Sequence, residues 1–268
     1  MRRWIFGIFI LAVGSRGWGA LSRVAVESIL DNPDAFDGKA ICVQGPAENV
    51  REKTSGRGNP YVVFQVRDGG AALKVFSFGR GMIPKQGPVL ACGDFYKEKT
   101  VGEQTFRDEL TAAYVGPPPP GMSRVGAVVR LSFSGKVTSV ADGDTLDVML
   151  NDWPSPIRFE GIDCPEKAQP SGPEAGGFTR GRALGRRVTV IMTDIDKYGR
   201  IVGWVILPDG TILNRELVRE GWAWWYRYYA PDNKDLKDLE ASARRNKKGL
   251  WRNEPQMSPW DFRHRTKK

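Results

Sequence analysis

Four short segments hold the residue types able to hydrolyse a phosphodiester. They are Asp142-Gly143-Asp144-Thr145, the stretch from Arg158 to Asp163-Cys164-Pro165-Glu166, Asp196-Lys197-Tyr198-Gly199-Arg200, and the aromatic run Trp222–Tyr229. They supply carboxylates for a hard cation, one further carboxylate and two guanidinium groups. Oxygen ligands such as Asp144 and Asp163 suit Ca²⁺ or Mg²⁺, and a divalent ion polarises a phosphate and brings water to it. A carboxylate left free of the metal serves as general base. Arginine forks match phosphate oxygens and absorb the charge that develops in the transition state. Pro165 fixes one φ angle, which holds Asp163 and Glu166 close together. On a regular strand Arg158 and Asp163 face opposite ways. The strand must therefore end, twist or bulge near Gly161 if both are to reach one site.

The composition removes the main competing chemistries. His264 is the single histidine among 268 residues, and it sits within Arg263-His264-Arg265. That one histidine, in a basic tail, nearly excludes serine and cysteine triads, zinc hydrolases and phosphohistidine relays. The three cysteines form no CxxC pair, which excludes zinc fingers and disulfide-dense scaffolds. No P-loop signature occurs. Hydrophobic residues at 41% and charged residues at 26% describe a globular chain rather than a disordered one.

Taken in order, DGDT, the R-x-x-x-x-D-x-P-E stretch, DKYGR and a terminal GLW resemble the staphylococcal nuclease (thermonuclease) family over residues 134–252. The resemblance implies a five-stranded OB-type barrel with three helices. It implies Ca²⁺ held by Asp144, Asp163 and the main-chain carbonyl of Cys164, with Glu166 as the base that activates water. Arg158 and Arg200 would clamp the phosphate, and DNA or RNA would be cut to 3′-phosphate and 5′-hydroxyl ends. Lys197, Tyr198, Arg227 and Tyr229 would bind substrate. Cys164 replaces the family's usual threonine, Arg227 aligns with a pocket tyrosine, and the loop after the glutamate is shortened to Lys167–Gly172. The alternative reading is a catalytically silent module on the same fold that binds nucleic acid or protein. The complete set Asp144, Arg158, Asp163, Glu166 and Arg200 favours the enzyme.

These residues need a scaffold, and the chain divides to provide one. Residues 1–19 read as a signal peptide: Arg2 and Arg3, then an apolar run, then small residues at Gly17 and Gly19. The expected product is secreted or periplasmic, is monomeric, and is not stably inserted in a membrane after cleavage. Gly116-Pro-Pro-Pro-Pro-Gly121 reads as a linker, because four prolines favour extended geometry and cannot join a sheet ladder. Residues 20–120 carry 12 basic and 12 acidic side chains, whereas 121–268 carry 25 and 19. The net charge of +9 is thus shared by the leader and the second domain, and it invites a polyanion.

The expected fold is mainly β, of the α+β kind: two OB-type barrels, at 20–115 and 122–255, with a basic tail at 256–268. In the first domain, a helix at Val26–Asn32 precedes strands at Ala40–Gly45, Tyr61–Arg67, Ala72–Phe78, Pro88–Phe95 and Thr105–Leu110. Its segment NVREKTSGRGNPYVVFQVRDG resembles OB-fold nucleic-acid-binding domains. Tyr61, Phe64, Phe76 and Phe78 are candidates to stack bases, and Arg51, Lys53 and Arg57 to meet phosphates; the other reading packs these rings inside the barrel. In the second domain, helices are expected at Pro173–Leu184, Asn214–Glu220 and Leu236–Lys248. The tail reads as a solvated basic end.

Alternation places Cys42 and Cys92 on the outer face of neighbouring antiparallel strands. Register decides whether they form a disulfide or stand as two independent small residues. Cys164 is a lone thiol in either case.

Overall fold

The computed structural model describes residues 21–79, 83–84, 86–118, 125–126, 131–252 and 256–265. The signal segment 1–19 and the linker residues 119–121 lie outside the described residues.

The first barrel opens with helix α1 (Val26–Asp31) and a 3₁₀ turn at Pro33–Ala35. Its strands are β1 (Ala40–Thr54), β2 (Pro60–Asp68), β3 (Ala71–Phe78), β4 (Pro88–Val101) and β5 (Gln104–Gly116). They close in the order β1-β2-β3-β5-β4. Alternate residues point inward, so Val62, Phe64, Val66, Leu73, Val75, Phe95 and Leu110 fill the interior. Phe64 is among them, only 1% exposed, and is therefore a core residue unable to stack a base. Its strand neighbours in the candidate set, Tyr61, Phe76 and Phe78, are not in that core.

The second barrel holds β6 (Leu131–Val140), β7 (Thr145–Leu150), β8 (Trp153–Phe159), β10 (Arg187–Ile195) and β11 (Ile201–Ile206), with two-residue strands β9 (Ile162–Asp163) and β12 (Trp224–Trp225) outside it. It closes as β6-β7-β8-β11-β10. Counted from each barrel's own first strand, both have the order 1-2-3-5-4, and in both the third and fifth strands pair in parallel. Three helices pack around it: α2 (Gly172–Ala183), α3 (Leu213–Arg219) and α4 (Lys234–Arg245). Asn233 starts α4 by accepting the Leu236 amide at 3.1 Å.

Several sequence expectations shift: β1 runs on to Thr54 rather than Gly45, β4 to Val101 rather than Phe95, and β5 to Gly116 rather than Leu110. Gly116 belongs to β5 rather than to the linker. The strand that carries Arg158 stops at Phe159, because Gly161 turns the chain at φ +73° before β9. The tail is not a solvated end: Pro259–Arg265 is a helix, α5, and Ser258 and Pro259 are buried.

The outer face of the first barrel lies against the second barrel. Leu21, Cys42, Leu90, Cys92 and Tyr114 join the second barrel's apolar cluster with Leu131 and Val190. The β7–β8 turn, Asn151-Asp152, has positive φ at both residues, and Asn151 donates to the Val115 carbonyl at 2.9 Å. Gly79 meets the same turn so closely that a Cβ there would lie 2.7 Å from the Asn151 carbonyl oxygen. Cys42 and Cys92 face each other in register and are joined by a disulfide, with Cα atoms 4.1 Å apart. Cys164 is a free, buried thiol.

Candidate active site

The site forms where β7, β8 and β9 come together. Arg158 pairs with Thr145 across β7 and β8, so Asp144 at the head of β7 lies beside it. The turn at Gly161 then returns the chain and brings Asp163 to the same face. One guanidinium spans both acids: Arg158 Nη2 donates to Asp163 Oδ1 at 2.8 Å, and Nη1 makes an ion-pair contact with Asp144 Oδ1 at 2.6 Å. Burial opposes the charge on Arg158, but Asp144, Asp163 and Asp142 outweigh it and raise its pKa. Arg158 therefore stays charged at any working pH.

Neighbouring groups of the chain fix Asp144. The Cys164 amide donates to Asp144 Oδ2, and Thr145 Oγ1 donates to Asp144 Oδ1 at 3.2 Å. From α2, Thr179 Oγ1 donates to the Gly143 carbonyl at 2.6 Å. Gly143 has no room for a side chain, since a Cβ would sit 2.7 Å from Cys164 Sγ. Cys164 thus packs under the DGDT turn while its amide faces the acid. Asp142, in the same turn, is pushed up to about 7 by burial and by the charge of Asp144.

Glu166 ends the turn, half-buried. Its amide donates to Gln169 Oε1 at 3.2 Å, and Gln169 Nε2 donates to the Met257 carbonyl at 2.6 Å. Gln169 thereby ties the catalytic turn to the tail. The tail supplies the unexpected member of the site. Arg263 Nη1 donates to Glu166 Oε1 at 2.6 Å, and Arg263 Nη2 to Asp163 Oδ2 at 2.7 Å. Trp260 stacks on Tyr226, with ring centroids 5.3 Å apart and planes within 1°.

Arg200 immediately precedes β11, which pairs with β8 from Ile201↔Ile157 onward. No described contact joins Arg200 to the acids. Asp196 holds it instead, accepting from Nε at 2.7 Å and from the Arg200 amide at 3.0 Å. Tyr198 is exposed, with the Arg200 guanidinium 5.4 Å and Lys197 Nζ 5.1 Å from its ring centre. Arg227 and Tyr229 are exposed on the loop after β12. Tyr229 packs against Tyr226, with centroids 4.8 Å apart. Tyr226, not singled out in the sequence, is the ring that lies beside Asp163 and Arg263.

A hard cation fits this donor set. Asp144 and Asp163 are buried oxygen donors bridged by Arg158, and among the described residues their ion-pair partners are guanidinium groups. Among the described residues no three His, Cys, Asp or Glu side chains converge into a preformed cage. A main-chain oxygen or water must therefore complete any coordination shell.

Residues 156–253 match the family model described as staphylococcal nuclease homologue. The chain is similar to an uncharacterised endonuclease of Escherichia coli, 41% identical over 138 residues, covering 52% of this chain and 90% of that protein. It is similar to a micrococcal nuclease of Shigella flexneri, 35% identical over 144 residues, covering 50% and 83% respectively. A staphylococcal-like nuclease of Arabidopsis thaliana is 34% identical over 107 residues, covering 40% of this chain and 32% of that protein.

Proposed function

The chain belongs to the family of staphylococcal nuclease homologues and is a nuclease, a hydrolase of phosphodiester bonds; from this premise we propose an exported, Ca²⁺-dependent enzyme that cuts DNA, RNA or both to 3′-phosphate and 5′-hydroxyl ends. The observation that carries this reading is the capture of Asp144 and Asp163 by one guanidinium, with Glu166 next to them. Export is supported by the leader-like residues 1–19.

Asp144, Asp163 and the Cys164 carbonyl are the proposed Ca²⁺ ligands, and the ion would neutralise phosphate charge and order the attacking water. Glu166 accepts a proton from that water. The water oxygen bonds to phosphorus, the bond from phosphorus to the 5′ oxygen breaks, and that oxygen leaves as a hydroxyl, taking a proton from solvent. Arg158 on β8 and Arg200, just ahead of β11, are the proposed phosphate clamps, since guanidinium forks match phosphate oxygens. Arg263 must release Glu166 before that carboxylate can accept a proton. Lys197, Tyr198, Arg227 and Tyr229 are the proposed substrate contacts, and the first barrel an accessory surface for single strands.

Digestion of plasmid and RNA in Ca²⁺, Mg²⁺ or EDTA tests the reading. Glu166→Gln is expected to keep the fold and the metal but to lose about 10²–10⁴-fold in rate, the usual share of a general base. Cleavage at the parent rate would remove Glu166 from that role.

A further inference from the structure

Between the two barrels lies a cavity of about 490 Å³ that the catalytic steps do not use. Its walls come from both domains: Phe78, Asp94, Tyr96 and Lys99 from the first, Trp153 and the Lys197–Gly199 turn from the second. At its wall stands a carboxylate that no donor of the described residues hydrogen-bonds, with Lys99 as the nearby counter-charge. Asp94 is only 6% exposed, and among the described residues no hydrogen bond or ion pair reaches its side chain. A buried carboxylate left in this way is costly unless a donor arrives from outside the fold. Burial and the nearby Asp196 push it up to about 6, as expected for an acid lacking a hydrogen-bond donor.

The rest of the lining suits one class of donor. Phe78, 44% exposed, stacks on Trp153 with centroids 5.0 Å apart, and continues a line of rings through Phe76 and Tyr61. Lys99 lies over Tyr96, 4.4 Å from its ring centre. Lys197 is exposed, and no described carboxylate pairs with it. Tyr198 belongs both to this wall and to the active site, because its ring carries the Arg200 guanidinium. Aromatic faces, lysines and one hydrogen-bond acceptor are what a nucleotide needs: stacking for the base, ammonium groups for the phosphate, and a carboxylate for an exocyclic amine.

We propose that the cleft between the barrels is a nucleotide subsite, taking the base and phosphate of a single strand that continues past Tyr198 from the phosphate held at Arg200. This inference rests on the nuclease reading for its direction but not for its test. Asp94 accepts from the amino group of cytosine, adenine or guanine. Lys99 and Lys197 meet the phosphate.

The test is fluorescence anisotropy with short labelled single-stranded oligonucleotides in EDTA, where cleavage does not enter. Oligo-dC is expected to bind the full chain more tightly than oligo-dT, which lacks an exocyclic amine. Asp94→Leu, which has no acceptor, should abolish that preference, and Lys99→Ala should weaken both ligands about tenfold, the scale of one lost charged hydrogen bond. Circular dichroism melting checks that each variant is folded. Affinities equal to the parent in both variants would overturn the proposal, as would equal binding of the two oligonucleotides by the parent. If the parent binds as expected but does not cleave in Ca²⁺, the catalytic reading fails and the subsite stands.

Discussion

At the residue scale, the site is a set of acids covered by the chain's own cations. Arg158 belongs there by sequence, five residues before Asp163 on a strand that turns at Gly161. Arg263 does not: it is 97 residues from Glu166 and 100 from Asp163. Nothing local in Pro259–Arg265 distinguishes a docked helix from a solvated basic end, so this contact was not legible in the sequence. The aromatic run was legible only in part. Arg227 and Tyr229 were chosen by family register, whereas the chain's turn after β12 sends Tyr226 toward Asp163. The contacts of Arg263 imply a measurable competition. A guanidinium and a divalent cation seek the same Asp163 carboxylate, and each charged hydrogen bond contributes about 1.5–3 kcal/mol. Arg263→Ala is therefore expected to tighten Ca²⁺ binding by about tenfold in isothermal titration calorimetry. Unchanged affinity would mean that the tail leaves the acids open to metal.

At the element scale, the places of the strands were legible, because alternation of apolar residues fixes which face is buried, but not their ends, since β1 runs past Gly45 to Thr54. The strands β1 and β4 begin at the expected Ala40 and Pro88, and the need for a break near Gly161 followed from strand parity alone. Helix ends moved by one to three residues, as frayed termini do. Less visible was what locks the helices to the barrel. Asn214 on α3 is fully buried. Its Oδ1 accepts the Val205 amide at 2.9 Å, and its Nδ2 donates to the carbonyls of Glu160 and Gly203 at 3.1 Å each. It therefore holds β11 against the end of β8, next to Arg158. Asn214→Ala would strand the Val205 amide and take a donor from the Glu160 carbonyl, while the Gly203 carbonyl keeps the Glu160 amide. The expected loss is about 2–4 kcal/mol of unfolding free energy, since each orphaned group costs about 1–3 kcal/mol before relaxation. Urea denaturation measures it, and a loss below about 0.5 kcal/mol would show that other groups or water replace the amide.

At the scale of the whole molecule, two barrels of one topology are pressed together by residues that face outward from the first. The interface also buries acids. Asp94 is pushed up to about 6, first by burial and then by Asp196, with Lys99 opposing. Asp194 is pushed up to about 7, first by burial, with Glu160, Asp196 and Asp94 adding to it against the Ile195 amide. Both folded-state values lie above the ordinary 3.8. The folded chain therefore holds protons that the unfolded chain has released, and stability falls as pH rises between about 4 and 7. For Asp94 the loss is at most about 3 kcal/mol, at about 1.4 kcal/mol per pH unit. Asp94→Asn is expected to raise stability at pH above about 7 and to leave it unchanged near pH 4, flattening the curve measured by denaturant titration. A variant curve parallel to the parent's would place the pH dependence elsewhere. Keeping a costly acid at the cleft is consistent with its use there, since binding groups often sit at the expense of stability.

The disulfide between Cys42 and Cys92 bears on how the chain is made. Both residues are fully buried, under the same apolar cluster that seats the second barrel and behind the Leu21–Arg23 segment. Once the barrels have met, no oxidant or thiol reaches those sulfurs without parting them. The bond must therefore close while the first barrel stands alone, in the interval before the rest of the chain arrives and packs. Chain order provides that interval, because both cysteines lie more than 30 residues ahead of β6. A molecule that packs first keeps its thiols sealed inside it. Two lasting populations, alike in fold and different in history, would then record which event came first.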